Sequence, residues 1–354
     1  MQVLWEHLPL FIFFLPLLVF SQANILNAKS PDEIGIANAF DEVDSDESPL
    51  AYGYISDKDV LFSKTIWEEI NLDERVNFPM YYPIDTLVVG NERRPLIHFL
   101  LKSALEGDFP VYKKDNFKEI LSLEDLNRKR TYRKIRPGDS DDNIGLERIT
   151  NEAGTKEQFL ILKGVDVGEY ANIDESLLND DEYNEYESKM EELIFDNNLL
   201  SEEEYSEEIF SYADVVKYRI KGVWYFDKRQ SDLRYRPIAI APIVITPRSK
   251  ANMKEFNDPN MKPDYVELFW VFYPDARTYL HKAMAFNDKN TSKPISFDHL
   301  INSRRFSGYI YKEDNVYQDR EINNYISENA LMQLLESQRI KEKIRNLEQD
   351  MWSY

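Results

Sequence analysis

The chain of 354 residues contains no cysteine. That excludes disulfides, thiolate metal sites, a cysteine nucleophile, and the lipid-bearing cysteine of a bacterial lipoprotein. An exported chain without disulfides has to hold itself together by burying a large core. Histidine is almost as scarce: beyond His7 there are only His98, His281 and His299. None has the H-E-x-x-H spacing, and no G-x-S-x-G elbow, phosphate-binding glycine loop or G-x-G-x-x-G is present. Basic residues are in deficit, 43 against 64 acidic, and the net charge of −21 makes nucleic acid and anionic lipid poor partners. Long apolar runs are also missing, with one exception.

That exception is Leu8 to Phe20, almost unbroken in its apolar character and followed by the small or polar Ser21 to Asn24. A membrane-crossing helix needs about 20 apolar residues, so the run has the length of a signal peptide rather than a span. Pro9 and Pro16 inside it argue the same way, although the preceding residues carry Glu6 and His7 and no Lys or Arg. The expectation is a signal peptide over 1–22, cut near Ser21 to Ala23, against the alternative of a buried terminal strand or helix. A flexible acidic lead over 23–50 follows, then a single α+β domain over 51–354 with no direct membrane span.

Within the domain, order is expected to begin at Tyr52-Gly53-Tyr54. Ser56 to Asp59 offer caps for a helix carrying Val60, Leu61, Ile66, Trp67 and Ile70. A second helix is predicted from Pro95 to Leu105, ending near Gly107. Residues 128–136 form a concentrated basic stretch in an acidic chain, suited to an acidic surface on another subunit or to this chain's own acidic segment. Asp139 to Asn143 begins like a calcium loop but has Ile144 where the glycine belongs and Thr150 where the glutamate belongs. Gln158 to Gly164 reads as a short strand.

From Asp174 to Glu208 there are fifteen acidic residues and one lysine, so about two thirds of the net charge lies in a tenth of the chain. Apolar residues recur there at helical spacing, which predicts an acidic helical insert with a solvated face. Val215 to Phe226 and Leu233 to Ile245 form a hairpin signal, with Pro237 and Pro242 placing the second strand at an edge or a bulge. Tyr265 to Tyr273 adds a third strand, and helices are expected over 276–285 and 296–304. The fold class is α+β, with a mixed, mainly antiparallel sheet from about 158 to 273 flanked by helices, and a long C-terminal helix.

That last helix, about 327–352, has two apolar stripes half a turn apart: Leu331, Leu334 and Leu335, then Ile340, Ile344, Leu347 and Met351. Either it kinks near Ser337, or its halves touch different things. The favoured reading packs the first half on the home core and sends the second, with Trp352, to a neighbouring chain.

Aromatic residues reach 13%, with 22 tyrosines and five tryptophans, consistent with strands or with protein-contacting surface. The polar motifs resemble glue more than catalysis. Asp298-His299 are chain neighbours, which rarely present both side chains to one substrate, and Asp275 and Arg277 could brace a loop. No catalytic residue, metal site or cofactor is expected. The interface candidates are Tyr81, Tyr82, Arg130, Arg133, Trp224, Tyr225, Arg229, Trp270, Asp275, Arg277, Arg304 and Arg305, together with Ile340, Ile344, Leu347, Met351 and Trp352 of the last helix.

Several strings then resemble one family. Lys221 to Gln230, Glu267 to Arg277, Pro294 to Leu300, Tyr311 to Tyr317, Asp319 to Ile322, Gln333 to Ser337, Glu74 to Pro79 and Tyr81 to Pro83 are similar to the GldN/PorN family. The resemblance covers about 52–121 and 215–352, and no string in 128–210 carries it. It implies a non-enzymatic, soluble periplasmic subunit of the type IX secretion and gliding machinery of Bacteroidetes. Its implied partners are a GldK/PorK-like outer-membrane lipoprotein, neighbouring copies in a ring, and the GldM/PorM-like periplasmic part of the GldL–GldM motor. The alternatives are an adaptor or chaperone for exported cargo that uses the acidic insert, and a hydrolase using His281 or His299.

Overall fold

The structure, a computed structural model, describes residues 49–85, 94–136, 145–171, 173, 178–256, 261–287, 295–327 and 329–351. The expected signal peptide, most of the expected lead, the calcium-like loop and Trp352 lie outside the described residues. The fold is α+β, and every strand pairing among the described residues is antiparallel.

The sheet is built on β1 (Val60–Asn71), where the sequence predicts a helix. Ile66 to Ile70 are buried without a break, because both faces of the strand are covered; the loss of alternation leaves a pattern that mimics helical spacing. Ser56 caps nothing with its side chain. The hairpin of β5 (Val215–Asp227) and β6 (Asp232–Ile245) forms as its alternation requires, and β5 pairs with β1 along nearly its whole length.

Short strands complete the main sheet: β2 (Val111–Tyr112), β7 (Tyr265–Glu267), β8 (Trp270–Phe272) and β11 (Tyr309–Glu313). The order is β11-β1-β5-β6-β8-β2, with β7 also on β6. So β6 is internal, and the sequence's bulge alternative is the one found. The register slips between Lys221 and Gly222, opposite Ala239 and Pro237. Pro242, lacking an N–H, sits between the stretches of β6 that pair with β8 and with β7. The sheet thus begins at residue 60, not 158, and the third strand is two pieces.

One face of the sheet is apolar. α2 (Leu96–Glu106), α8 (Tyr273–Lys282) and α9 (Phe297–Asn302) cover it, with Ile70, Tyr218, Ile220, Ile240 and Val244 beneath. α2 stops at Gly107, whose left-handed backbone (φ 77°) is the expected end signal. The preceding α1 (Phe78–Tyr81) and the following α3 (Leu123–Arg130) flank this layer.

Residues between α3 and β5 build a second apolar cluster. β3 (Thr131–Ile135) and β4 (Tyr205–Ile209) pair, and α4 (Leu146–Ala153), α5 (Lys156–Leu162) and α6 (Asp180–Asp196) pack with them. The predicted strand at 158–164 is therefore α5. Thr155 caps it and buried Phe159 and Leu160 anchor it; a short apolar run does not by itself tell strand from helix. The acidic segment is helical in α6, where Tyr186, Met190 and Ile194 are the buried stripe, but it ends in a strand. α7 (Pro247–Phe256) lies beyond β6, and β9 (Met284–Ala285) pairs with β10 (Ile295–Ser296) before α9.

After β11 come α10 (Ile322–Tyr325) and α11 (Ala330–Met351). The two stripes of α11 are assigned the opposite way from the favoured expectation. Ile340 and Ile344 are buried against Ile66, Ile310 and Ile322, and Leu347 is half-buried, while Leu331, Leu334 and Leu335 are exposed. Ser337 settles the matter: it is small, 1% exposed, and its Oγ accepts the backbone N–H of Ile310 at 2.8 Å. Only a face without bulk there can approach β11.

Gly222 marks a second close approach. A Cβ at that position would overlap the ring and hydroxyl of Tyr235. We expect Gly222→Ala to lower stability by about 1–3 kcal/mol. In denaturant unfolding, the double variant with Tyr235→Ala should lose less than the sum of the two single changes.

Candidate functional site

The polar constellation of this molecule starts from two adjacent glutamates in β1. Glu68 and Glu69 point to opposite faces of the sheet, and both are buried, at 0% and 5% exposure. A buried carboxylate needs a paired cation. On the helical face, Arg304 donates from both Nη atoms to Glu68, each at 2.8 Å. Its guanidinium lies 4.2 Å from the Tyr235 ring centre and 5.0 Å from that of Trp224. Arg304 follows α9 in the left-handed region (φ 51°), which turns the chain toward the sheet.

The other face carries a grid of charge and aromatic rings. Glu69 accepts from Lys217 at 3.0 Å, from Arg219 at 2.7 and 2.9 Å, and from the Tyr309 hydroxyl. Arg219 also pairs with Glu267 and stacks 4.5 Å from the Tyr311 ring centre. Burial pushes the Glu69 carboxyl up. The Tyr309 hydrogen bond and the charges of Arg219 and Lys217 outweigh it and hold the group below the ordinary glutamate range. Beside this group, Asp115 takes the Trp67 indole N–H at 2.8 Å and the Lys221 ammonium at 3.2 Å.

A third centre joins α8 to α9. Arg277 meets Asp298 through Nε at 3.0 Å and Nη2 at 3.1 Å; Tyr273 and Asn302 donate to the same carboxylate. Arg277 thus braces two helices instead of pairing with Asp275, which is exposed in the first turn of α8. Over it runs the segment Leu50–Tyr54. The Tyr52 ring lies 4.0 Å from the Arg277 guanidinium and 4.5 Å from that of Arg236, and its hydroxyl donates to Asn302 at 2.8 Å. Burial pushes the Tyr52 phenol up to about 12. Arg277, Arg236 and Arg229 donate to the carbonyls of Leu50, Gly53 and Tyr54. Three arginines on α8, on β6 and in the hairpin turn therefore hold one strap.

These partnerships place the predicted site residues. Trp270 is 2% exposed and donates its indole N–H to Glu267, and Tyr225, Arg277, Ile340 and Ile344 are buried as well. These five are internal in the described structure and are corrected from surface to frame. Trp224 and Arg304 are half-buried in the Glu68 brace, and Arg229 holds Asp227 and the strap. Arg133 pairs with Glu207 at 2.9 Å, and Arg130 reaches Asn127 at 3.2 Å. Tyr82, 47% exposed and edge-on to Phe78 and Tyr81, remains on the surface with Arg305 and Asp275. Tyr81 is half-buried and donates to the Ala213 carbonyl at 3.3 Å. Met351 closes α11, and its side chain lies outside the described residues.

The basic stretch finds acid within its own chain. Arg128 meets Glu192 at 2.6 Å and Asp196 at 3.0 Å on α6. The histidines are dispersed. His98 contacts the Tyr212 hydroxyl at 2.8 Å, while His299 is exposed and its neighbour Asp298 faces inward to Arg277. Among the described residues no group of three His, Cys, Asp or Glu could hold a metal ion, and no helix is long and apolar enough to cross a membrane.

The family model described as "Gliding motility associated protein GldN" matches residues 55–353. The chain belongs to the GldN family. The match runs through 128–210, where no string is recognisable by eye, so the acidic unit falls within the family's span. A GldN-family chain is a component of the gliding motility and type IX secretion machinery of the cell envelope, a structural component and not a member of a known enzyme family. Comparison with curated proteins finds no match.

Two outcomes follow from the glutamate pair. Arg304→Met leaves Glu68 buried without a cation and should cost about 3–5 kcal/mol, most of it recovered in the double variant with Glu68→Leu. This is read by urea unfolding of the four-member cycle. The lowered Glu69 value means that, below the ordinary glutamate range, the unfolded chain binds a proton that the folded one does not. Stability from this group is present above that range and is lost as pH falls through the folded value. The acid slope of stability should be shallower in Glu69→Gln than in the parent chain; equal slopes would contradict the assignment.

Proposed function

We propose that this GldN-family chain is a non-enzymatic subunit of the machinery's periplasmic ring. It assembles there with neighbouring copies and a GldK/PorK-like outer-membrane lipoprotein, and contacts the periplasmic part of a GldM/PorM-like motor. The observation that carries the proposal is the use of charge in the motif strings. Arg277, Arg229 and Asp298 lie in the strings that resemble the family, and each is bonded into the frame. A frame braced on both faces of one sheet suits a part that transmits force and keeps its shape. The leader at 1–22 directs the chain out of the cytoplasm. The lack of a cysteine to carry a lipid leaves attachment to a partner.

The adaptor reading draws less support, because α6 already meets basic residues of its own chain. Asp298, the chain neighbour of His299, is bonded to Arg277, which weakens the hydrolase reading.

The test is affinity purification of the tagged chain from its own membranes, with gliding and secretion scored in the same cells. We expect a high-mass assembly containing an outer-membrane lipoprotein, and full function from the His281→Ala/His299→Ala double variant. A chain recovered only as a monomer would sink the ring proposal. Loss of secretion in the double variant with the assembly intact would favour the hydrolase.

A further inference from the structure

The strap before β1 is attached differently from everything around it. Leu50 to Tyr54 carry no charge, and among the described residues no backbone–backbone hydrogen bond reaches them. Side chains hold the strap instead. Arg277, Arg236 and Arg229 donate to three of its carbonyls, the Tyr52 hydroxyl donates to Asn302, and the Tyr52 ring lies against two guanidinium groups. Recognition of this kind asks only for a stretch of chain with a tyrosine at its centre. Nothing in it requires the strap and the groove to belong to one molecule.

The home seating is also incomplete. Among the described residues Arg236 makes no ion pair; its bond to the Gly53 carbonyl is 3.3 Å long, and its Nε is buried without an acceptor. A buried N–H in that state costs stability. Leu50 and Tyr54, on either side of the anchored Tyr52, are 79% and 82% exposed. The tether explains the poor fit. Residues 55–59 alone join the strap to β1, and they end in a single turn, Asp57–Asp59. Arg229 meets the Asp59 carboxylate at 3.3 Å, and the Lys228 N–H donates to the Asp59 carbonyl at 2.8 Å. That turn limits where a strap can lie on its own groove.

We infer that copies of this chain exchange straps, so that Leu50–Tyr54 of one copy lies in the Arg236–Arg277 groove of its neighbour. The inference rests on the reading of the chain as a subunit that meets its own copies, and it names the contact between them.

The occupant is the strap itself, because its fit to this groove is seen directly. Exchange repeats each bond with a second copy's groups, which makes it a low-cost route to association, and closely spaced copies favour it further. A neighbour's strap is not tied to the turn beside the groove it enters, so a carbonyl can move onto Arg236 Nε. Charge agrees. The chain carries −21 and repels its copies, whereas an uncharged strap on a guanidinium without a carboxylate sets no acid against acid.

The test uses two differently tagged full chains in the same cells. The first carries a benzophenone amino acid at Gly53, where a side chain meets open space. Light should join the two tags, and the mapped peptide of the second chain should come from β6, α8 or α9. Arg236→Ala in the second chain should reduce that species roughly tenfold, through loss of one carbonyl bond and one ring–cation contact. The same change in the first chain should leave it. Tyr52→Ala in the first chain, on a strap outside the core, should reduce it equally, and decides the matter if Arg236→Ala lowers the melting temperature. Cross-links confined to the first chain, or none, with the high-mass assembly intact, would overturn the inference and leave the ring proposal standing. A cross-link to a different protein would overturn it too, as would joined tags that respond to Arg236→Ala only in the first chain. A parent chain that forms no assembly would remove the ring proposal, and the inference with it.

Discussion

The Glu68 and Glu69 carboxylates are on adjacent residues toward the C-terminal end of β1, and each is buried on a different side of the sheet. Neither can be left without a cation, and the cations come from opposite directions: Arg304 from beyond α9, Arg219 and Lys217 from β5. The arrangement fixes more than local charge. A slip of β1 by one residue would send each glutamate to the wrong face and expose Ile66 and Ile70. Register, the return of the chain after α9 and the placing of β11 therefore depend on the same five charged groups. Buried ion pairs are weak evidence of stability but good evidence of specificity where two of them point opposite ways on one strand.

From that centre the structure divides by chemistry. The helical face is closed by apolar packing, and the strap at Leu50–Tyr54 is laid over it by three guanidinium groups and the Tyr52 hydroxyl, without sheet pairing. The other face buries a small apolar cluster of Trp67, Ala239, Ala241 and Trp270, and around it is tied by aromatic rings over cations, as with Lys221 on Trp67 and Arg219 on Tyr311. Cation–ring contacts tolerate partial solvation better than a lone buried charge does. Contacts of this kind help that face hold its shape.

Sequence patterning revealed the elements that bury one face and hid those that bury two. The β5–β6 hairpin was legible because its alternation survives. β1 was not, because Trp67 and Glu69 are covered on one side while Ile66 and Glu68 are covered on the other. The same holds for charge pairing. Asp275 is the nearest acid to Arg277 along the chain, yet Asp298 is its partner, and separation along one sequence carries no signal of that. The C-terminal helix shows the limit most directly. Both stripes were visible with their angle, but periodicity cannot say which faces home; a serine beside a strand N–H decides it.

The acidic unit between β3 and β4 illustrates how a large net charge is kept from opposing the fold. Lys156 bonds Glu191 at 2.8 Å and also Glu187, Arg148 clasps Glu204, and Arg128 reaches Glu192 and Asp196. Each basic group sits where two or more acidic groups converge, so few cations hold many anions. What remains faces solvent and gives the chain a long-range repulsion from its own copies. Neighbouring copies in an assembly would then need contacts that overcome this field at short range. Apolar and aromatic surface, such as Tyr82 beside Phe78 and the leucines of α11, is the chemistry that can do so without adding charge.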